Sequence, residues 1–280
     1  LSESEQNLIG IRLANRHVAV QADCRAPIEA LQTLFAGHLC PVGGSAAHQI
    51  RVHREPGGYR IEGGGPSMPQ VLDEAQLPHV LCQALLHGLS NGEDQHLMLH
   101  AAALARGEQG ILMAARSGSG KTTLSAWMIE HGYRFLTDEL VAVDDRGMLH
   151  GLARPLNLKQ RGASAVQGLG WLERQMPQAL RSGPITLLPC EDTEPTPALA
   201  TLMLFPRFVG GDEFTVEPMS PARCAVALTA TLLNARNLPR RGLPRLLDLA
   251  RQAQGYAVFY SHPSQVIGWL ADELARRGQE

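Results

Sequence analysis

The nine residues Ala115-Arg116-Ser117-Gly118-Ser119-Gly120-Lys121-Thr122-Thr123 constrain this chain more than any other stretch. Two glycines around a small polar residue let backbone N–H groups turn inward around an anion. A lysine and a threonine follow at once, the pairing that reaches β/γ-phosphates and holds Mg²⁺ in a phosphate-binding loop. Such a loop works between a strand and a helix, because the helix aims its N-terminus and positive dipole end at the phosphates. The flanks agree. Ile111-Leu112-Met113-Ala114 reads as a short buried strand. Leu124, Met128 and Ile129 recur at helical spacing before Gly132, a natural C-cap. The strict pattern wants glycine at 115, where this chain has Ala115. The nucleotide-binding candidates are therefore Arg116, Ser117, Gly118, Ser119, Gly120, Lys121, Thr122 and Thr123, with a helix expected from Lys121 to about His131.

A second element follows the first at a telling distance. Thr137-Asp138-Glu139 lies just past an apolar strand over Tyr133–Thr137, seventeen residues beyond Lys121. An acid at a strand end beside a phosphate loop holds Mg²⁺ or takes the proton of a substrate hydroxyl. The spacing leaves room for one helix and one strand, so the Asp138 strand should directly follow the loop's helix. A carboxylate with an ordinary pKa of about 4 serves as such a base, because the proton leaves late in a loose phosphoryl-transfer transition state. Twenty-one residues before Lys121, His100 stands in Leu99-His100-Ala101-Ala102-Ala103. Read from its neighbours alone it is either a satisfied core histidine or a group that orients a carboxylate or contacts phosphate.

The rest of the chain bounds the setting. Its 280 residues carry a net charge of −2, which offers no general attraction to nucleic acid or membrane. No apolar run approaches the roughly 18–20 residues of a membrane span. The acidic start, Leu1-Ser2-Glu3-Ser4-Glu5, is unlike a signal peptide. Five cysteines without a C-x-x-C pair suit a reducing cytosol, so a cytoplasmic protein is expected.

Residues 1–70 hold strand candidates at Gly10–Ala22, Gln49–His53 and Tyr59–Glu62, the last two flanking the turn Glu55-Pro56-Gly57-Gly58. Gly63-Gly64-Gly65-Pro66 breaks the pattern, and 73–90 reads as an amphipathic helix. Strand and helix then alternate. A Leu97–Arg106/Gly110–Ala114 hairpin precedes the loop. Strands are expected at Leu140–Asp144, Leu199–Phe205, Phe214–Glu217 and Tyr256–Tyr260, and helices at Ala222–Arg236, Leu243–Ala253 and Pro263–Arg277. The expected architecture is a small α+β N-terminal domain over 1–70, then an α/β nucleotide-binding domain with a mixed sheet over 71–280.

The order His100, phosphate loop, Asp138-Glu139 resembles the HPr kinase/phosphorylase family, which shares its P-loop core with phosphoenolpyruvate carboxykinases. That family's pattern runs His-Gly, strand, G-x-S-G-x-G-K-S, helix, R-G-hydrophobic strand, Asp-Asp. Gly118-Ser119-Gly120-Lys121-Thr122, His131-Gly132-Tyr133-Arg134 and Asp138 match it, while Ala101, Ala115 and Glu139 depart. A related branch found with peptide-modification genes looks closer still. It reads L-H-A-A before the loop, S-D-E after it, then R-P-[IL]-x-L-K, as in Arg154-Pro155-Leu156-Asn157-Leu158-Lys159.

The resemblance implies an ATP- or GTP-dependent, Mg²⁺-requiring kinase that phosphorylates a Ser/Thr-type hydroxyl of a peptide or small protein. It implies Asp138 as general base, His100 hydrogen-bonded to it, and Lys121 on the phosphates. It also implies Thr122 with Glu139 on the metal, a peptide-binding chaperone as partner, and a homo-oligomer. In true HPr kinases an acid stands two positions before an Arg-Gly pair; Arg161-Gly162 puts Lys159 there. Arg154, Lys159 and Arg161, with Arg116, are candidates for phosphate or acceptor contacts. Lys159 gains weight because Lys121 and Lys159 are the two lysines among 25 basic residues. Two other readings stay open: a small-molecule kinase or carboxykinase-like phosphoryl transferase, and a non-catalytic nucleotide-binding regulator.

Overall fold

The computed structural model describes residues 7–42, 46, 48–66, 68, 72–115, 118–153, 155–159, 166–182, 185–188 and 196–277. Among these residues the chain is mixed α/β, with its strands in three sheets.

The first sheet begins with β1 (Leu8–Leu13) and β2 (Arg16–Ala22), where the sequence suggests a single strand candidate over Gly10–Ala22. They form a hairpin in which Leu13 pairs with Arg16 across Ala14-Asn15, and Ala14 takes φ +50. Two-residue hairpin turns need positive φ, usually from glycine or asparagine at the first position. An alanine there leaves no signal in the sequence. Helix α1 (Arg25–Leu34) then crosses to β4 (His48–Glu55), which runs parallel to β2, after the short β3 (Leu39–Cys40). Strand β5 (Gly58–Glu62) closes the expected hairpin, giving the order β3-β1-β2-β4-β5. Helix α2 (Leu77–Ser90) lays Leu81, Leu85 and Leu89 on this sheet's inner face against Val18, Ile50 and Tyr59. Met98, Leu140 and Ala142 continue that core. A division at residue 70 therefore leaves α2 in the second part while its buried face packs on the sheet of the first.

The central sheet has nine strands. It is built from β6 (Leu97–His100), β7 (Ala102–Arg106), β8 (Gln109–Met113), β9 (Arg134–Thr137), β10 (Leu140–Val143) and β11 (Met148–Gly151), with α3 (Lys121–Glu130) between β8 and β9. A small sheet follows, ordered β12 (Leu156–Lys159), β14 (Ile185–Leu188), β13 (Leu180–Ser182), with α4 (Gly170–Gln175) before it closes. The chain then returns to the central sheet as β15 (Ala198–Phe208) and β16 (Phe214–Met219). Helices α5 (Pro221–Thr229) and α6 (Leu243–Gln252), strand β17 (Gln254–Tyr260) and helix α7 (Pro263–Arg277) complete it. The order is β6-β10-β11-β15-β8-β7-β9, with β17 also along β15 and β16 outside β17. Strands β8, β15 and β17 are parallel and the other pairs antiparallel.

Two further expectations are corrected. The strand expected over Leu97–Arg106 is interrupted at Ala101, because its two halves pair with different strands, β10 and β9. The helix expected over Ala222–Arg236 ends at Thr229. Beyond it, Thr231 O accepts the His100 N–H and the Leu233 N–H donates to Met98 O, so the open edge of β6 draws the backbone out of the helix. Pairing an otherwise bare strand edge outweighs the modest propensity of a few residues. No helix among the described residues is long and apolar enough to cross a membrane.

Candidate phosphate-binding and catalytic site

Strand β8 is buried over Gly110–Met113 and delivers the chain to the loop, where the Ala114 N–H is tied to Leu204 O of β15. Gly118 and Gly120 take φ +85 and +91, a region that L side chains rarely adopt. Gly120 is also the residue from which α3 starts. The first N–H groups of α3 have no partners inside the helix and sit at its positive end. Ala115 is not among the non-glycine residues with positive φ, so its methyl sits on ordinary backbone. Its carbonyl instead accepts the Lys121 ammonium at 2.5 Å, and Lys121 is only 7% exposed. Arg116 and Ser117 lie outside the described residues.

The acid pair sits in a break of an antiparallel ladder. Ala103 pairs with Thr137 on one side of it and His100 with Leu140 on the other, in the same register. Asp138 and Glu139 fall in the gap between the two pairings. Thr137, fully buried, turns its hydroxyl back to accept the N–H groups of Glu139 (3.2 Å) and Leu140 (3.3 Å), which sets the bend.

Asp138 is 3% exposed, and the Thr122 hydroxyl donates to its Oδ2 at 3.2 Å. His100 Nδ1 lies 3.3 Å from Glu139 Oε1. The resemblance implies a hydrogen bond from His100 to Asp138 and places Thr122 and Glu139 on a metal ion. The structure gives His100 Glu139 as its partner in place of Asp138, and sets Asp138 beside Thr122. The register explains it: His100 stands opposite Leu140, one residue from Glu139, while Asp138 lies within reach of the first turn of α3.

Tyr260, the last residue of β17, was not singled out by its sequence context. It is buried at 1% exposed, and its hydroxyl donates to Ser119 O of the loop at 3.4 Å. A Cβ on Gly120 would overlap that hydroxyl oxygen. Burial pushes the Tyr260 hydroxyl up to about 12 from an ordinary value of 10. Between those values the unfolded chain has lost the proton and the folded chain keeps it, so stability falls as pH rises. Two pKa units correspond to about 2–3 kcal/mol. The stability difference between wild type and Tyr260→Phe, read from urea midpoints, is therefore expected to shift by that amount against wild type between about pH 9 and about pH 12. A difference that stays flat across that range would contradict a buried hydroxyl at the loop.

The basic candidates divide. Arg154 and Arg161 lie outside the described residues. Lys159 is placed by its backbone at the end of β12, opposite Ile185. Leu156 and Leu158 of the same strand share a core with Leu124 and Met128 of α3, so β12 is docked on the helix that begins at the loop. Among the described residues no group of three or more His, Cys, Asp or Glu side chains is placed to hold a metal ion. A cleft of about 740 Å³, lined by Arg12, His96, Asp144, His150 and Arg245, opens at the other ends of β6 and β10, away from the loop.

The arrangement suits a Mg²⁺-bound nucleoside triphosphate by its donor set. Backbone N–H groups and a buried ammonium would serve the phosphates, and a threonine hydroxyl beside a carboxylate would serve an octahedral, oxygen-seeking cation that keeps several waters. No protein-family model matches this chain, and no curated protein matches it. Among solved structures it is similar to the Hpr(Ser) kinase/phosphatase from Coxiella burnetii, with 13% identity, 65% of this chain and 90% of that chain covered, and a TM-score of 0.29. A likeness of that size carries no functional weight.

Proposed function

We propose that this chain is an ATP-dependent, Mg²⁺-requiring kinase that transfers the γ-phosphoryl group to a Ser/Thr-type hydroxyl of a peptide or small protein. One observation carries the proposal: a carboxylate buried at 3% exposure stands 3.2 Å from the threonine hydroxyl that follows the phosphate-loop lysine. Phosphoryl transfer asks the protein for alignment and charge neutralisation more than for covalent chemistry. In this reading Lys121 and the N–H groups of residues 118–121 hold the β- and γ-phosphates. Thr122 and the acid segment hold Mg²⁺, which neutralises phosphate charge when bound. Asp138 takes the proton of the acceptor hydroxyl as its oxygen bonds to phosphorus and the bond to the β-phosphate oxygen breaks. His100 acts on the bend through Glu139, as a positioning residue. Residues 1–70 form an accessory unit, joined by α2 of the following segment, and the rest of 71–280 forms the kinase domain.

The test incubates the full chain with γ-labelled ATP, Mg²⁺ and peptides bearing serine and threonine. Label is expected on a hydroxyl amino acid and is expected to vanish when Mg²⁺ is chelated. Tight ATP binding without label on any peptide would sink the peptide-kinase proposal. It would leave the small-molecule transferase if a small acceptor is labelled, and the nucleotide-binding regulator if none is.

A further inference from the structure

The loop has two flanks in the central sheet. Strands β7 and β9, with the acid pair, lie on one side of β8; β15, β17 and β16 lie on the other. On that second flank Tyr260 stands in register with Phe208 of β15 and also with Phe214 of β16. Directly paired residues of neighbouring strands present their side chains to the same face. Three aromatic residues thus share one row across the sheet. The middle one is buried and bonded to the loop. The outer two are open to solvent, Phe208 at 58% and Phe214 at 36%. The Phe208 and Tyr260 rings meet edge to face, with centroids 5.8 Å apart at 78°.

A lone exposed phenylalanine on a surface calls for no explanation. This one stands a single ring away from a phosphate loop, on the flank opposite the acid pair, with a second open aromatic in its row. Strand β16 is the sheet edge, and Pro218 removes one of its ladder donors.

We propose that Phe208, with Phe214 beyond Tyr260 in the same row, is the platform on which the base of the bound nucleotide stacks. The γ-phosphate points to Asp138 on one flank and the base lies over the aromatic row on the other. This rests on the reading of the loop as a nucleotide site and adds where the base goes. A stacking platform accepts any base because every base has a π face. Adenine and guanine nucleotides are therefore expected to bind alike.

The test is calorimetric titration of the full chain with Mg²⁺ and ADP, GDP or inorganic tripolyphosphate, the last having phosphates but no base. Wild type is expected to bind ADP and GDP with similar affinity, and both more tightly than tripolyphosphate. Phe208→Ala is expected to weaken ADP and GDP about ten- to a hundredfold and to leave tripolyphosphate unchanged. Phe208→Leu, which keeps apolar bulk against Tyr260 without a ring, is expected to behave like Phe208→Ala; Phe208→Tyr is expected to bind ADP as wild type does. ADP binding that is unmoved in Phe208→Ala and Phe208→Leu overturns the platform and leaves the kinase reading standing. So does an equal loss of ADP and tripolyphosphate in both variants, which would assign Phe208 to loop structure. Wild type that binds none of the three overturns the nucleotide site itself, and the platform with it.

Discussion

Asp138→Asn is expected to abolish phosphoryl transfer while the chain still folds and binds nucleotide. Asparagine keeps the volume of the buried side chain and a carbonyl oxygen that accepts the Thr122 hydroxyl, so the contact at 3.2 Å survives. What is lost is the carboxylate that the proposed function makes the base for the acceptor's proton. A positioned general base contributes typically about 10²–10⁴-fold, so the labelled-transfer rate should fall by at least that range. The negative charge beside Thr122 is lost as well, so the Mg²⁺ concentration needed for half-maximal residual activity should rise. ADP binding measured without metal is expected to stay close to wild type, because the proposed function assigns the phosphates to the loop backbone and Lys121. Transfer in Asp138→Asn within a few-fold of wild type would remove Asp138 from the chemistry.

Gly120→Ala is expected to disable the loop far more than Gly118→Ala, although the two glycines look equivalent in the sequence. Both have positive φ, and an L residue in that region costs about 1–2 kcal/mol at either position. They differ in their surroundings. A Cβ on Gly118 meets no atom of the described residues within 4 Å, whereas a Cβ on Gly120 overlaps the Tyr260 hydroxyl. Overpacking against a buried ring adds about 1–3 kcal/mol. If the loop escapes by opening, the combined cost of about 2–5 kcal/mol is lost from nucleotide binding, about thirty- to several-thousandfold in Kd. Gly118→Ala should lose only the backbone part. Tyr260→Phe removes the overlapping oxygen, and the next ring atom lies at 3.5 Å. Gly120→Ala/Tyr260→Phe should therefore recover the packing part of the loss and leave the backbone part. A double variant no better than Gly120→Ala would show that Tyr260 does not brace the loop.

Particular residues show how far the chain can be read without its fold. The loop at 115–123 is legible because each property it needs is local: a strand before it, glycines for positive φ, a lysine and a threonine in fixed order, and a helix after it. The bounds of that helix and of α7 follow from spacing and punctuation, as do the strands on either side of Asp138. Where partners distant in sequence decide, local reading goes astray. The hairpin turn at Ala14-Asn15 has no glycine to mark it. The strand at 97–106 looks continuous until its two neighbours are known, and α5 stops short because β6 has an open edge.

By itself, then, the sequence determined that a glycine-bearing loop with Lys121 and Thr122 lies between a strand and a helix, with an acid pair at the end of the strand that follows. Those features depend on short-range backbone geometry and periodicity, which neighbouring residues set. Only the tertiary structure decided that His100 meets Glu139 while Asp138 meets Thr122, that the Tyr260 hydroxyl lies against Ser119 and Gly120, and that Phe208 and Phe214 are open to solvent in register with Tyr260. Each of those contacts joins segments that approach one another only through strand register and sheet order. Register is a property of paired strands, and no single stretch of sequence contains it.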